Sequence, residues 1–233
     1  MQSLLSNDFT PLVIKLPTLS GMNGLVLSGG HSRRMGQPKS LLDYHGKPQY
    51  QQVAEFLSGF CEQVFISCRA EQQSLFEGVE TILDSDSYGD IGPLNGVLTA
   101  FSLQLSESSK LSESSLSAWL VVGCDYPLLE KSDLEQLVRA RNPARVATVF
   151  TNPETQYPEP LLGIYEAKAG PLLLEWFQQG NESLRRFLEL QEINQVIPEH
   201  PECLKSVDTP EDFMKHHPSY TPEHFREDRF STF

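Results

Sequence analysis

Positive charge is scarce in this chain. Eighteen Lys and Arg stand against 31 Asp and Glu, a net charge of −13 over 233 residues. That excess repels polyanions, so binding of nucleic acid or of an anionic membrane is excluded as its main task. Cysteine is scarce as well. Cys61, Cys68, Cys124 and Cys203 form no C-x-x-C pair and have no histidine at zinc-ligand spacing. A disulfide scaffold and a structural zinc site are excluded, and reduced thiols in a cytoplasm are expected. Long apolar runs are missing. The most apolar stretch, around Trp119 to Val122, is far shorter than the ~20 residues that span a bilayer. Pro11 to Pro17 is broken by Lys15 and lacks the small-residue cleavage site of a signal peptide. There is also no Walker A loop and no G-x-G-x-x-G, which removes the P-loop and dinucleotide-binding readings.

What is present suits a soluble globular domain. Hydrophobic residues make up 39%, with 13 Phe, 7 Tyr and 2 Trp, enough apolar surface to offset chain entropy. Gly24 to Ser28 is a short apolar run stopped by Gly29 and Gly30, the pattern of a buried strand entering a glycine loop. Pro48 opens a helix carrying Val53, Phe56, Leu57 and Phe60. Val64 to Ser67 and Val79 to Leu83 read as strands, and Pro93 opens a helix through Phe101. Gln104 to Ser117 repeats LSESS and reads as a surface insertion. Trp119 to Val122 is the next strand. Ser132 with Glu135 forms a capping-box pattern for a helix through Val138. Arg145 to Phe150 and Leu161 to Tyr165 are further strands, Asn181 is a helix cap, and Thr209-Pro210-Glu211-Asp212 starts a last helix. Strands alternating with helices imply an open, mainly parallel α/β sheet covered on both faces.

Three stretches carry chemistry. The loop GGHSRRMGQPK sets Arg33, Arg34 and Lys39 beside Gly29, Gly30 and Gly36 in an otherwise acidic protein. Glycines let backbone N–H groups approach phosphate oxygens, and the cations neutralise charge that develops in phosphoryl or nucleotidyl transfer. The alternative is a basic surface turn. In the segment GCDYPLL, Asp125 follows a buried strand at the sheet edge where α/β proteins bind ligands. It is either a Mg²⁺ ligand or a turn cap. Cys124 beside it reads as a buried thiol, not a nucleophile. Asp84 ends a strand ahead of Gly92-Pro93-Leu94 at a helix start. It either accepts hydrogen bonds from a base or ribose, or forms the turn. His216, His217 and His224 read as solvated residues.

Taken in order, LSGGHSRRMGQPKSLL, Asp84 with GPLNG, VVGCDYPLL, EPLLGIY, GNESLRRFLE and DTPED resemble the molybdenum cofactor guanylyltransferase family over roughly Met22 to Phe213. The resemblance implies a three-layer α/β/α Rossmann-like nucleotidyltransferase fold. The domain would span residues 22–217, with an N-terminal extension 1–21, a tail 218–233, and Met22 as an alternative start. It implies transfer of GMP from GTP to molybdopterin with release of pyrophosphate, with Mg²⁺ as cofactor. A molybdoenzyme or cofactor-insertion protein would be the further partner. By the same resemblance Leu27, Ser28, Gly29 and Gly30 line the nucleotide, and Lys39 contacts phosphates. Ser67 occupies a nucleotide-side position where the family often has Asn. Asp84 contacts the nucleotide, and Asp125 binds nucleotide and Mg²⁺. Arg34 stabilises the leaving pyrophosphate. Ser206-Val207-Asp208 replaces an Asn-x-Asn, and the acidic DTPED form also occurs in relatives that use CTP. A pterin cytidylyltransferase, a sugar- or alditol-phosphate nucleotidyltransferase and a non-catalytic nucleotide-binding protein therefore remain as alternatives. Lys39 and Asp125 argue against the last.

Overall fold

Six consecutive buried residues, Ala118–Gly123 (β4), form the centre of the molecule. Their side chains alternate between two cores. Trp119 and Val121 point to one face of the sheet, and Leu120 and Val122 to the other. A strand buried on both faces needs apolar residues at every position, which is why this run is the most hydrophobic in the chain. The computed structural model describes residues 21–28, 38–108, 116–207 and 209–216.

Within those residues the strands are Met22–Leu27 (β1), Val64–Cys68 (β2), Glu80–Leu83 (β3), β4, Ala147–Thr151 (β5), Pro158–Tyr165 (β6) and Asn194–Val196 (β7). They form one sheet in the order β3-β2-β1-β4-β6-β5-β7. Only β6 runs against its neighbours, pairing antiparallel with β4 and β5. The described helices are Gln49–Ser58 (α1), Pro93–Ser108 (α2), Lys131–Arg139 (α3), Ala169–Gln178 (α4), Leu184–Leu190 (α5) and Pro210–His216 (α6). Helices α1 and α3 cover one face, burying Val53, Leu57, Leu134 and Leu137 against Val26, Leu120 and Val122. Helices α2, α4 and α5 cover the other through Leu98, Phe101, Leu173 and Phe187. The fold is the expected three-layer α/β/α arrangement. Strand order reverses between β1 and β4, because β2 and β3 lie to one side of β1 and β4 to the other. Such a switch opens a crevice beyond the carboxyl ends of those strands.

Several local expectations need correction. Helix α2 runs past Phe101 to Ser108, so the first part of the LSESS repeat is helical. Trp119 Nε1 donates to Gln104 Oε1 at 3.3 Å and ties this extra turn to β4. The rest of the repeat, 109–115, lies outside the described residues. The capping box of α3 is Glu130 with Asp133, not Ser132 with Glu135. Asp133 is only 2% exposed, and its Oδ2 accepts the Glu130 backbone N–H at 2.8 Å, so the helix begins earlier. The cap of α5 is Ser183, whose Oγ accepts from Arg186 N at 3.2 Å. Asn181 instead donates to the Trp176 carbonyl and closes the end of α4, where Gly180 has a positive φ. Helix α4 and strand β7 had no counterpart in the sequence reading. His217 and His224 lie outside the described residues.

One glycine tests the packing of β6 on β5. A Cβ at Gly163 would lie 2.5 Å from Val149 Cγ1 and 3.2 Å from Val149 Cβ, and a β-branched valine cannot swing away. Gly163→Ala is expected to lower unfolding stability by about 1–3 kcal/mol, read as a shifted urea midpoint with an unchanged slope.

Candidate active site

The site starts where β1 stops. Leu27 is paired with Ser67 on β2 and with Gly123 on β4. Beyond the ladder, Ser28 donates twice to the Ser67 carbonyl, from N at 3.1 Å and from Oγ at 2.9 Å. On the other flank Cys124 N donates to the Leu27 carbonyl at 3.2 Å. The next strand is held likewise. Asp84 N donates to the Cys68 carbonyl at 2.9 Å, and Ser67 Oγ donates to Asp84 Oδ1 at 2.8 Å. Leu27, Ser28, Ser67 and Asp84 thus form a continuous row along the carboxyl edge. Gly29, Gly30 and Arg34 lie outside the described residues.

Helix α2 closes this half from below. A Cβ at Gly96 would meet Ser67 Oγ at 2.1 Å and Leu27 Cδ2 at 2.9 Å, so only glycine lets the helix approach so near. Asn95, one residue earlier, is 5% exposed and fastens the loop after Asp84. Its Oδ1 accepts from Ser85 N at 2.9 Å, while its Nδ2 donates to the Ser85 and Gly89 carbonyls at 2.9 and 2.8 Å. A cavity of about 320 Å³ opens between Arg69, Asp84, Ser85, Gly89, Asp90 and Asn95. Burial raises the Asp84 pKa, and this outweighs the opposing Ser67 hydrogen bond and the charge of Arg69.

Asp125 lies across the switch point from Asp84. Its carboxylate folds back over the end of β4, since a Cβ on Gly123 would come within 2.5 Å of Asp125 Oδ1. Lys39 opens a short 3-10 turn, Lys39–Leu41. The chain that follows is fastened to the loop after Asp125. His45 Nε2 donates to the Pro127 carbonyl at 2.9 Å, and Gln49 Nε2 to the Tyr126 carbonyl at 3.3 Å. Val207 N donates to the Asp125 carbonyl at 2.9 Å from the other direction. The Lys39-bearing segment and Asp125 are therefore brought to the same end of the sheet. Cys124 is buried, and burial together with the Asp125 charge pushes its thiol pKa up, the opposite of what a nucleophile needs.

Two residues that sequence reasoning did not single out complete the far side. Glu159 on β6 is largely buried, and Tyr126 Oη points to its Oε2 at 3.5 Å. Arg185 on α5 approaches the same oxygen at 4.0 Å and lies over the Tyr157 ring, 5.8 Å from its centroid. Burial raises the Glu159 pKa, Arg185 and the Tyr126 hydrogen bond oppose the shift, and Asp125 adds to it. Asp125 thus shares its neighbourhood with a second carboxylate. Both segments stood within EPLLGIY and GNESLRRFLE, but nothing in either pattern told that Glu159 and Arg185 would meet.

A sequence model described as the MobA-like NTP transferase domain matches residues 24–196. The chain belongs to this family. Among curated relatives, it is 31% identical over 192 residues to the molybdenum cofactor biosynthesis bifunctional protein of Synechocystis sp., covering 82% of this chain but 52% of that protein. The chain therefore spans about half the length of that relative. It is 28% identical over 196 residues to the probable molybdenum cofactor guanylyltransferase of Trichormus variabilis, covering 83% of this chain and 89% of that one. Among solved structures, the molybdopterin-guanine dinucleotide biosynthesis protein A of Archaeoglobus fulgidus superposes with a TM-score of 0.64 at 24% identity. That match covers 84% of this chain and 97% of the other, and it supports the fold. As a MobA-like NTP transferase domain, the protein is a nucleotidyltransferase. Among the described residues, no helix is long and apolar enough to cross a membrane.

The raised Asp84 pKa has a defined sign. A carboxyl whose folded pKa exceeds its unfolded one favours the native state while protonated, and that contribution is lost as pH rises through the folded value. Ionised Asp84 therefore costs stability above the ordinary carboxylate range. Asp84→Asn, which can still accept from Ser67, is expected to raise Tm relative to wild type by more at about pH 8 than at about pH 4. A difference that stays constant with pH would remove burial of the charge as the cause.

Proposed function

We propose that the protein transfers GMP from GTP to molybdopterin and releases pyrophosphate. The observation that carries this reading is the convergence of Leu27, Ser28, Ser67 and Asp84 on one flank of the switch point with Asp125 and the Lys39 segment on the other. Relatives that bear the guanylyltransferase name over nearly their whole length support the substrate assignment.

In this reading the nucleoside half of GTP lies along Leu27, Ser28 and Ser67, with Asp84 accepting hydrogen bonds from it. The triphosphate then extends toward Lys39, and toward Gly29, Gly30 and Arg34 in the glycine loop. A terminal phosphate oxygen of molybdopterin forms a bond to the α-phosphorus. The bond from that phosphorus to the oxygen bridging to the β-phosphate breaks, and pyrophosphate leaves with the electron pair. A phosphate monoester is already an anionic nucleophile, so positioning and charge neutralisation suffice and no covalent enzyme intermediate is needed. Lys39 and Arg34 neutralise charge on the leaving group.

The donor set beside β4 fits Mg²⁺. Asp125 offers hard carboxylate oxygen; burial first, and the Asp125 charge in addition, raise the pKa of Tyr44, Tyr126 and Glu159, and Glu159 adds a second carboxylate nearby. Asp125 would hold the ion, which supplies neutralisation of phosphate charge. Glu159 and Arg185 flank the side from which the pterin substrate enters.

Two measurements test this. Asp125→Ala and Lys39→Ala, each shown to be folded, are expected to lower pyrophosphate release from GTP and molybdopterin by at least about 100-fold. Near-normal turnover in Asp125→Ala would remove the metal assignment. In a thermal-shift comparison of GTP, CTP, ATP and UTP with and without Mg²⁺, GTP with Mg²⁺ should raise Tm most. A larger shift with CTP would instead favour cytidylyl transfer.

A further inference from the structure

Leu42, Tyr44, Val207 and Phe213 form a small buried cluster separate from the two cores that flank the sheet. Phe213 is 0% exposed, although it sits in a short helix beside the acidic residues Glu211 and Asp212. Its ring lies 4.8 Å from the Tyr44 ring, inclined at 57°. Thr209 fixes the start of that helix, its Oγ1 accepting from Asp212 N at 3.2 Å. Among the described residues, the cluster draws on two stretches of chain, the one just after Lys39 and the one from Val207 to Met214. Each is independently attached to the loop that follows β4. Val207 binds the Asp125 carbonyl, His45 the Pro127 carbonyl and Gln49 the Tyr126 carbonyl. The aromatic pair therefore closes a triangle whose corners are the Lys39 segment, the Asp125 loop and α6. The turn at Lys39 is also seated by Ser40, which is fully buried, and by Leu41 against the core under α1, and the aromatic pair adds a packed side on the far flank of Lys39, toward α6.

We propose that the tilted Tyr44–Phe213 ring contact positions Lys39 relative to Asp125, so that α6 keeps the triphosphate half of the site in register with the nucleoside half. Tyr44 and Phe213 are positioning residues in this account and touch no reacting atom. The inference rests on the nucleotidyl-transfer reading above and adds to it the element that sets recognition of the β- and γ-phosphates. GMP lacks those phosphates, so its binding depends on the β1, β2 and β3 edge and not on where Lys39 stands.

The test uses the full-length chain with Phe213→Leu, Tyr44→Leu, the double variant and Tyr44→Phe, each checked for folding by circular dichroism. Dissociation constants for GTP and for GMP are measured with Mg²⁺, together with turnover. Each single leucine variant should lose the preference for GTP over GMP at unchanged GMP affinity, and kcat/KM should fall on the order of 100-fold. The double variant should be no worse than either single one, because both remove the same contact. Tyr44→Phe keeps the ring and removes only the hydroxyl that feels the Asp125 charge, so it should retain the wild-type ratio if ring packing positions Lys39, and loss of the ratio in this variant overturns the proposal. Folded leucine variants that keep both the GTP preference and turnover overturn the proposal. So does an equal loss of GTP and GMP affinity, which marks a merely structural role. Failure of both leucine variants to fold would make the cluster a folding element and overturn it as well. A folded wild-type protein that binds no GTP fails the nucleotidyl-transfer reading itself, and this inference falls with it.

Discussion

The candidate site depends on the last hydrogen bonds made by β1. A parallel strand that ends between two neighbours leaves backbone groups pointing past the sheet, and here both flanks are satisfied at once. Ser28 is tied to Ser67 on one side, and Cys124 is tied to Leu27 on the other. The strand order reverses at this point, with β2 and β3 to one side of β1 and β4 to the other, and a crevice opens beyond the carboxyl ends of β1 and β4. Asp84 and Asp125 hang from the two walls of that crevice. Moving β1 by one residue would turn Leu27 out of its core and break both anchors together.

This acidic protein keeps carboxylates at the edge where it has to receive an anionic substrate. Burial raises the pKa of Asp84 and of Glu159, so ionising them opposes folding. Glycine is placed where backbone and helix must come close, as at Gly96 beneath Ser67 and Gly123 beneath Asp125. Charged groups held in this way gain from a ligand or cation that neutralises them, which couples binding to stability. The few cations of the chain are concentrated accordingly. Three of the 18 Lys and Arg fall within the glycine loop and its exit at Lys39.

Much of the fold was legible because its signals are local. A buried strand needs an unbroken apolar run, so Trp119 to Val122 declared itself, and Pro48, Pro93 and Thr209 marked helix starts. The misreadings arose where two residues of similar chemistry lie close together in sequence. Ser132 and Glu130 can both cap a helix, and the burial of Asp133 decided for Glu130. Asn181 and Ser183 can both cap α5, and the return of the chain from α4 used Asn181 for the helix before. Strand β7 is three residues long and only half-buried, so it exists because β5 offers an edge and not because of its own pattern.

The sequence by itself determined the class of fold, the family and the residue types that handle phosphate, because apolar periodicity, glycine spacing and the order of short motifs are properties of the chain alone. Tertiary structure decided which of those residues meet. Glu159 feels the Asp125 charge and meets Arg185 only because β6 runs antiparallel beside β4 and α5 packs on β6. Phe213 reaches Tyr44 only because the chain after Leu204 returns to the Asp125 loop. Contacts between segments so far apart in the chain have no local periodicity to announce them, since they are set by the order in which strands enter the sheet.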